Sequence, residues 1–272
     1  MTRRTMLIGG ALLVLAIVTG WVYLARPSHD RQWSVDQSVL PTVEWHGDSV
    51  RISGVRNFRW TSDTVFVPVW EERTYRLDQV ATAWYVLAPF AKSWRGPAHA
   101  FVTFGFDDGR YLAISVEARR EAGEAYGPVM GLLRRYELVY VIGDEHDLIA
   151  RRALFNTNDV YLYPVRADRA GVRAMLTGML QRANELHERP EFYNTLTNNC
   201  TLNLVHHVNA IVPGKIPSSW RIALPGYSDE VAQRLGLIDS TLSLAEARTR
   251  FRINDKARAA IDSADFSARI RQ

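Results

Sequence analysis

The one cysteine of this 272-residue chain, Cys200, sits in TLTNNCTLNLVHHV, residues 195–208. A thiol attacks as its thiolate, and its pKa falls at a helix N-terminus or beside a histidine. Asn198 and Asn199 are types favoured at helix N-caps, and residues 201–208 contain no helix breaker. The spacing therefore predicts Cys200 in the first turn of a helix, where the macrodipole favours negative charge. A lone cysteine can equally be a small buried hydrophobe. A zinc site would need several Cys or His ligands at short spacing, and His206-His207 with one Cys does not supply them, so no metal is expected. GPVMGLL lacks the glycines and lysine of a phosphate loop, and no dinucleotide fingerprint occurs, so no cofactor is expected either.

A cysteine nucleophile needs a base, and the candidates are His29, His46, His99, His146, His187, His206 and His207. His29 belongs to a linker, while His146 and His187 lie in polar segments. His206 and His207 share the helix of Cys200 but fall about 9–10 Å along it, too far for direct proton transfer. His99 opens the strand HAFVTFGF, which Asp107-Asp108-Gly109 joins to RYLAISVEARR in the clearest hairpin of the chain. A three-residue loop puts His99 opposite Glu117, with His99, Phe101 and Thr103 sharing a face with Glu117, Ser115 and Ala113. Cross-strand neighbours of this kind have Cβ atoms about 4.5–5.5 Å apart. A two-residue turn would put His99 opposite Ala118 and turn Glu117 away. On the first register Cys200, His99 and Glu117 make a nucleophile, base and orienting carboxylate. Backbone amides near Cys200, or the side chains of Asn198 and Asn199, are candidates for the oxyanion contacts.

The elements that must position these residues are strands in the middle of the chain with helices around them, an α+β class. Residues 49–60, 64–77, 136–143 and 159–165 read as further strands. DQVATAWYVLAPF, opening on Asp78, reads as a helix ending before Pro89, and EHDLIARRALF as helical. Residues 169–188 form the strongest amphipathic helix, with Val172, Met175, Met179, Leu180 and Leu186 near one face. LPGYSDEVAQRLGLID reads as a turn and a short helix, and the charged C-terminal segment as helical.

Composition is that of a globular chain, 47% hydrophobic and 23% charged. The net charge of +4 comes from scattered arginines, which gives no nucleic-acid surface. Residues 6–24, MLIGGALLVLAIVTGWVYL, are charge-free and about as long as a bilayer core requires. Arg3 and Arg4 precede them, and Trp21 and Tyr23 stand at the far end, as the positive-inside rule and an aromatic belt ask. WVYLARP replaces a small-residue cleavage site, so an uncleaved anchor is expected over a signal peptide. Either way the domain faces outward, where one cysteine has no internal disulfide partner.

Five blocks in this order resemble the bacterial DUF4105 family, known as the Lnb N-terminal periplasmic domain. They are RISGVRNFRW, AHAFVTFGFDDGRYLAISVEARRE, YGPVMGLLRRYELVYVIGDEHDLIARR, FYNTLTNNCTLNLV and LPGYSDEVAQRLGLID, spanning about residues 50–239. The resemblance implies a papain-like, circularly permuted NlpC/P60-type fold with histidine before cysteine. On matching positions it carries the catalytic thiol to Cys200, the base to His99 and the acidic partner to Glu117. It implies lipoprotein N-acyltransferase-like chemistry: an acyl chain moves from a phospholipid, through a thioester, to the amine of a lipoprotein. Fuller family members carry further membrane spans after the domain. Residues 252–272 contain no second hydrophobic run, which leaves hydrolysis or another acceptor open.

The reading is thus residues 1–26 as cytoplasmic N-terminus and transmembrane anchor, 27–48 as linker, and 49–272 as a periplasmic Cys-His domain at the bacterial inner membrane. The expected activity is thiol acyl transfer with membrane, phospholipid and lipoprotein partners. A cysteine peptidase or amidase of the envelope, or a non-catalytic scaffold, are the alternatives.

Overall fold

The hairpin that decides the register of His99 is the frame of the sheet. The computed structural model describes residues 3–91, 95–155 and 158–272, with the side chains of 3–6, 11, 22 and 23 left aside. In chain order it contains α1 (Arg3–Leu24), β1 (Thr42–His46), β2 (Ser49–Arg56), β3 (Arg59–Trp60), β4 (Phe66–Val67), β5 (Trp70–Arg76), β6 (Val80–Pro89), β7 (Ala98–Phe106) and β8 (Tyr111–Arg119). There follow α2 (Pro128–Leu132), β9 (Glu137–Gly143), α3 (Glu145–Leu148), a π-turn at Arg151–Phe155, β10 (Tyr161–Pro164), α4 (Arg169–Glu188) and α5 (Cys200–Ile211). The chain ends with α6 (Trp220–Ala223), α7 (Ser228–Arg234), α8 (Leu244–Phe251), α9 (Asn254–Ala260) and α10 (Phe266–Arg269).

Asp107-Asp108-Gly109 closes β7 to β8 as a three-residue loop. Phe106 N–H donates to Arg110 O at 3.0 Å, and Gly109 takes φ +82°, which its missing Cβ permits. The register is Val102↔Ile114 through Gly105↔Tyr111, and continuing it sets His99 against Glu117. The ladder itself stops at Val102↔Ile114, although both strands run on. Beyond that pair β7 keeps β6 as its neighbour through Pro89↔Ala98, and β8 keeps β9 through Arg119↔Glu137. The two central strands therefore part at the end that carries His99 and Glu117.

The main sheet runs β1-β2-β9-β8-β7-β6-β10 with β5 also on β2, antiparallel except for the single β2–β9 contact Arg56↔Gly143. α4 and α5 cover one face, packing Met179 and Leu204 with Phe104, Ile114 and Tyr140. The π-turn, α9 and α10 cover the other, packing Ile149, Ala257 and Phe266 with Phe101, Ala113 and Val139. The result is a mixed α+β domain with a large sheet packed between helices.

Within residues 78–90, expected as a helix, Val80–Pro89 are strand instead. Asp78 sits in a 3-10 turn (Leu77–Gln79), and β6 follows as the partner of both β7 and β10. A continuous apolar run suits a buried strand as well as a buried helix, and the β-branched and aromatic residues of VATAWYVLAP favour the strand. The supposed linker is also structured. Ser28 N–H donates to Glu137 Oε1, His29 Nε2 to Leu186 O, and Asp36 and Gln37 are buried. β1 joins the sheet beside β2.

α1 is one helix of 22 residues whose described large side chains, including Leu7, Leu12, Leu15, Ile17 and Trp21, are exposed. Tyr23, the second expected interfacial aromatic, lies outside the described side chains. Among the described residues no helix is long and apolar enough to cross a membrane, so by that measure the anchor expected at residues 6–24 is not found.

Candidate functional site

The thiol lies where the sequence puts it, at the first residue of α5. Asn199 caps the helix: its side-chain oxygen accepts from Leu202 N–H at 2.9 Å, relieving one of the helix's orphan donors. Its amide nitrogen donates to Thr195 O and Ala223 O, tying the preceding loop and α6 to the same point. Asn198 is occupied as well, donating to Phe192 O and accepting from Asn203 Nδ2. Both asparagine side chains are thus spent on fixing the helix start. The donors left for an oxyanion are backbone amides.

Three amides bear on the sulfur: those of Ala100, Thr201 and Cys200 itself. Cys200 is nonetheless fully enclosed, and burial pushes its thiol pKa up, outweighing those amides and the Thr201 hydroxyl at 3.9 Å. The macrodipole argument expects the opposite shift. A helix N-terminus lowers a thiol pKa when the thiolate keeps access to water, and here desolvation wins.

His99 is buried at the splayed end of β7. Its Nε2 is 2.6 Å from Ser115 Oγ, and Ser115 donates to Glu117 Oε1 at 2.9 Å. The direct separation of His99 Nε2 from Glu117 Oε1 is 3.8 Å, beyond a hydrogen bond. One hydroxyl has one proton. Because Ser115 gives its proton to Glu117, its oxygen must accept from His99 Nε2–H. The neutral imidazole is therefore the Nε2–H tautomer, and Nδ1 carries the lone pair that can take a proton.

Glu117 is shared among several donors. Arg152 Nη2 reaches Oε1 at 2.8 Å and Gln37 Nε2 reaches Oε2 at 3.1 Å. Burial alone would raise its pKa, but Arg152, with His99 and Arg56 behind it, holds the carboxyl well below the usual range. Burial and then the charge of Arg152 push His99 down to about 3 against the pull of Glu117. The resting cavity thus holds a neutral thiol and a neutral imidazole.

His99, Glu117, Arg152 and Cys200 line one cavity of about 430 Å³ with Tyr126 and Tyr193. By strand alternation His99 shares the face of Phe101, while Cys200 packs with the opposite face. They reach one space because β7 and β8 have parted there. A larger, almost wholly apolar cavity of about 710 Å³ lies between α4, α5 and α7, and Thr201, next to the thiol, is part of its wall.

The other histidines stand apart. His207 Nε2 is 2.9 Å from the buried Tyr140 hydroxyl, a core contact, and burial lowers it to about 4. Ser115, Gln37 and Arg152 are the site residues that the sequence did not single out. Ser115 was readable as a face-mate of His99, whereas nothing local marks Gln37 or Arg152. Among the described residues no group of His, Cys, Asp and Glu has the arrangement of a metal site.

Residues 66–226, more than half of the chain, match the family described as the Lnb N-terminal periplasmic domain. No curated protein matches the sequence. No solved structure matches it either.

Proposed function

The chain belongs to the Lnb N-terminal periplasmic domain family, and from that premise we propose that it is a membrane-anchored thiol acyltransferase of the cell envelope. The observation that carries the reading is the single cavity holding a helix-capped cysteine, a histidine whose Nε2 meets the Ser115 hydroxyl and a carboxylate linked to it through that hydroxyl.

In the first step Cys200 Sγ attacks the ester carbonyl of a phospholipid. The thiol proton passes to His99 Nδ1, and the C–O bond breaks as His99 returns that proton to the leaving alcohol. In the second, the N-terminal amine of a lipoprotein attacks the thioester. Its proton leaves through His99, and the thiol is restored. The amides of Cys200, Thr201 and Ala100 are the oxyanion donors. With both groups neutral at rest, charge develops only as attack proceeds, and Glu117, through Ser115, stabilises the imidazolium that forms. The apolar cavity beside Thr201 suits a hydrocarbon chain.

α1 is read as the anchor: 22 residues rise about 33 Å, and the charge-free residues 6–24 approach bilayer thickness. The domain then faces the periplasm. The order histidine on a strand, cysteine on a later helix start, supports a permuted papain-like relationship.

Incubating the protein with phospholipid and measuring the mass of Cys200 tests the reading. A fatty-acyl adduct on wild type and none on Cys200→Ala supports it. Peptide cleavage without an adduct assigns the site to a cysteine peptidase or amidase, and unchanged function of Cys200→Ala in cells assigns it to a scaffold.

A further inference from the structure

Trp21, near the end of α1, donates its indole N–H to Leu133 O at 3.3 Å, one residue past α2. The chain leaving α1 has little slack, since Ser28, His29 and Arg31 are pinned to Glu137, Leu186 and Glu121. The exit point of the apolar helix is thus fixed beside α2. On α2, Val129, Met130 and Leu132 are exposed, Val129 by 63%. Apolar residues on a turn this short normally face a core.

This ledge is continuous with the mouth of the thiol cavity. Gly131 lies so close to Thr195 and the Tyr193 ring that a Cβ would strike the Thr195 hydroxyl, and Thr195 itself donates to Pro128 O at 2.7 Å. Leu196, next in sequence, is exposed. Tyr126 contacts the rings of Tyr193 and Phe90 at 6.2 and 6.4 Å, and all three line the cavity. Phe90 is also exposed.

We propose that the ledge of Val129, Met130 and Leu132, with Phe90 and Leu196, sits in the outer leaflet of the membrane crossed by α1, so that the thiol cavity opens at the lipid surface. This rests on reading residues 6–24 as an anchor. The tether selects the occupant: an interfacial tryptophan hydrogen-bonded beside α2 holds that turn at headgroup depth, where burying three aliphatic side chains is favourable. A membrane-soluble ester would then reach Cys200 laterally.

The test uses full-length protein in which Cys200→Ser removes the native thiol and one new cysteine carries an environment-sensitive fluorophore. Met130→Cys reports the ledge, and Asp108→Cys reports the hairpin loop at the far end of β7. Both proteins are reconstituted into phosphatidylcholine–phosphatidylglycerol vesicles with and without brominated acyl chains. The expected result is several-fold stronger quenching at Met130 than at Asp108. Equal quenching at the two sites, or failure to float with the vesicles, overturns the proposal. A blue-shifted Met130 signal that appears in detergent only as protein concentration rises overturns it in favour of self-association. No outcome depends on catalysis, so an acyl adduct without quenching leaves the enzyme reading and removes this one.

Discussion

The carboxylate of Glu117 reaches the imidazole of His99 through the hydroxyl of Ser115, since the direct separation is 3.8 Å while the two steps are 2.6 and 2.9 Å. This link sets the tautomer of His99 and leaves Nδ1 as the basic atom.

Under the proposed acyl transfer, Ser115→Ala should therefore keep the fold and lower kcat for thioester formation, with little change in KM. His99→Ala should cost more, about 10²-fold or beyond, the usual contribution of a general base. Single-turnover acylation of both variants checks the order. Equal losses would show that Ser115 acts by more than orientation.

Reactivity of Cys200 should track its raised thiol pKa. Alkylation by iodoacetamide should climb through a pH range above about 8.5, the ordinary thiol value, because burial outweighs the surrounding amides. With His99 near 3, no limb should occur at pH 6–7. Rates measured from pH 5 to 10 on folded protein test both statements.

Two buried histidines, in addition to the half-buried His29, tie stability to acid. His99, near 3, and His207, near 4, are both below the ordinary value of 6.5, so the unfolded chain binds more protons in between. Their contribution is complete above pH 6.5 and lost as pH falls toward 4 and then 3. Where both are uncharged folded and charged unfolded, their joint share of the slope is about 3 kcal/mol per pH unit. Denaturant midpoints from pH 4 to 7 should show it, and His207→Gln should reduce that share to about half.

How much of this was readable without coordinates divides by distance along the chain. The helix start at Cys200, its Asn199 cap and the bounds of α4 follow from residues that are neighbours in sequence. The hairpin register follows from one loop length, which left two choices. Gln37 and Arg152 reach Glu117 from 80 and 35 positions away and obey no period. The misread strand β6 is buried on both faces from Tyr85 to Ala88, so that stretch shows no alternation. The direction of the thiol shift depended on enclosure, which sequence does not display.

Asp147 accepts from Arg56, from Phe58 N–H and from Trp60 Nε1, with both charges fully buried. Asp147→Asn should cost about 3–5 kcal/mol by leaving an uncompensated guanidinium. It should also loosen Asp36, whose carbonyl accepts from Arg56. Equilibrium unfolding in urea measures the loss, and a change under about 1 kcal/mol would contradict the importance given to this pair.

Val208 lines the large apolar cavity beside Thr201. Under the proposed acyl transfer, Val208→Phe should shorten the acyl chains accepted on Cys200 while leaving short-chain thioester formation intact. Competition between acyl donors of different length, read by mass, decides it.

The early end of the β7–β8 ladder has one further consequence. Neighbouring strands normally pair along their shared length, and here four residues of β7 and five of β8 forgo that pairing, so the cavity of His99 and Cys200 exists as an unfinished seam. Two more rungs would seal it and leave a folded domain without that cavity. Substitutions that favour pairing at Ala100 and Val116 are thus a route by which relatives could lose the proposed chemistry while keeping the fold.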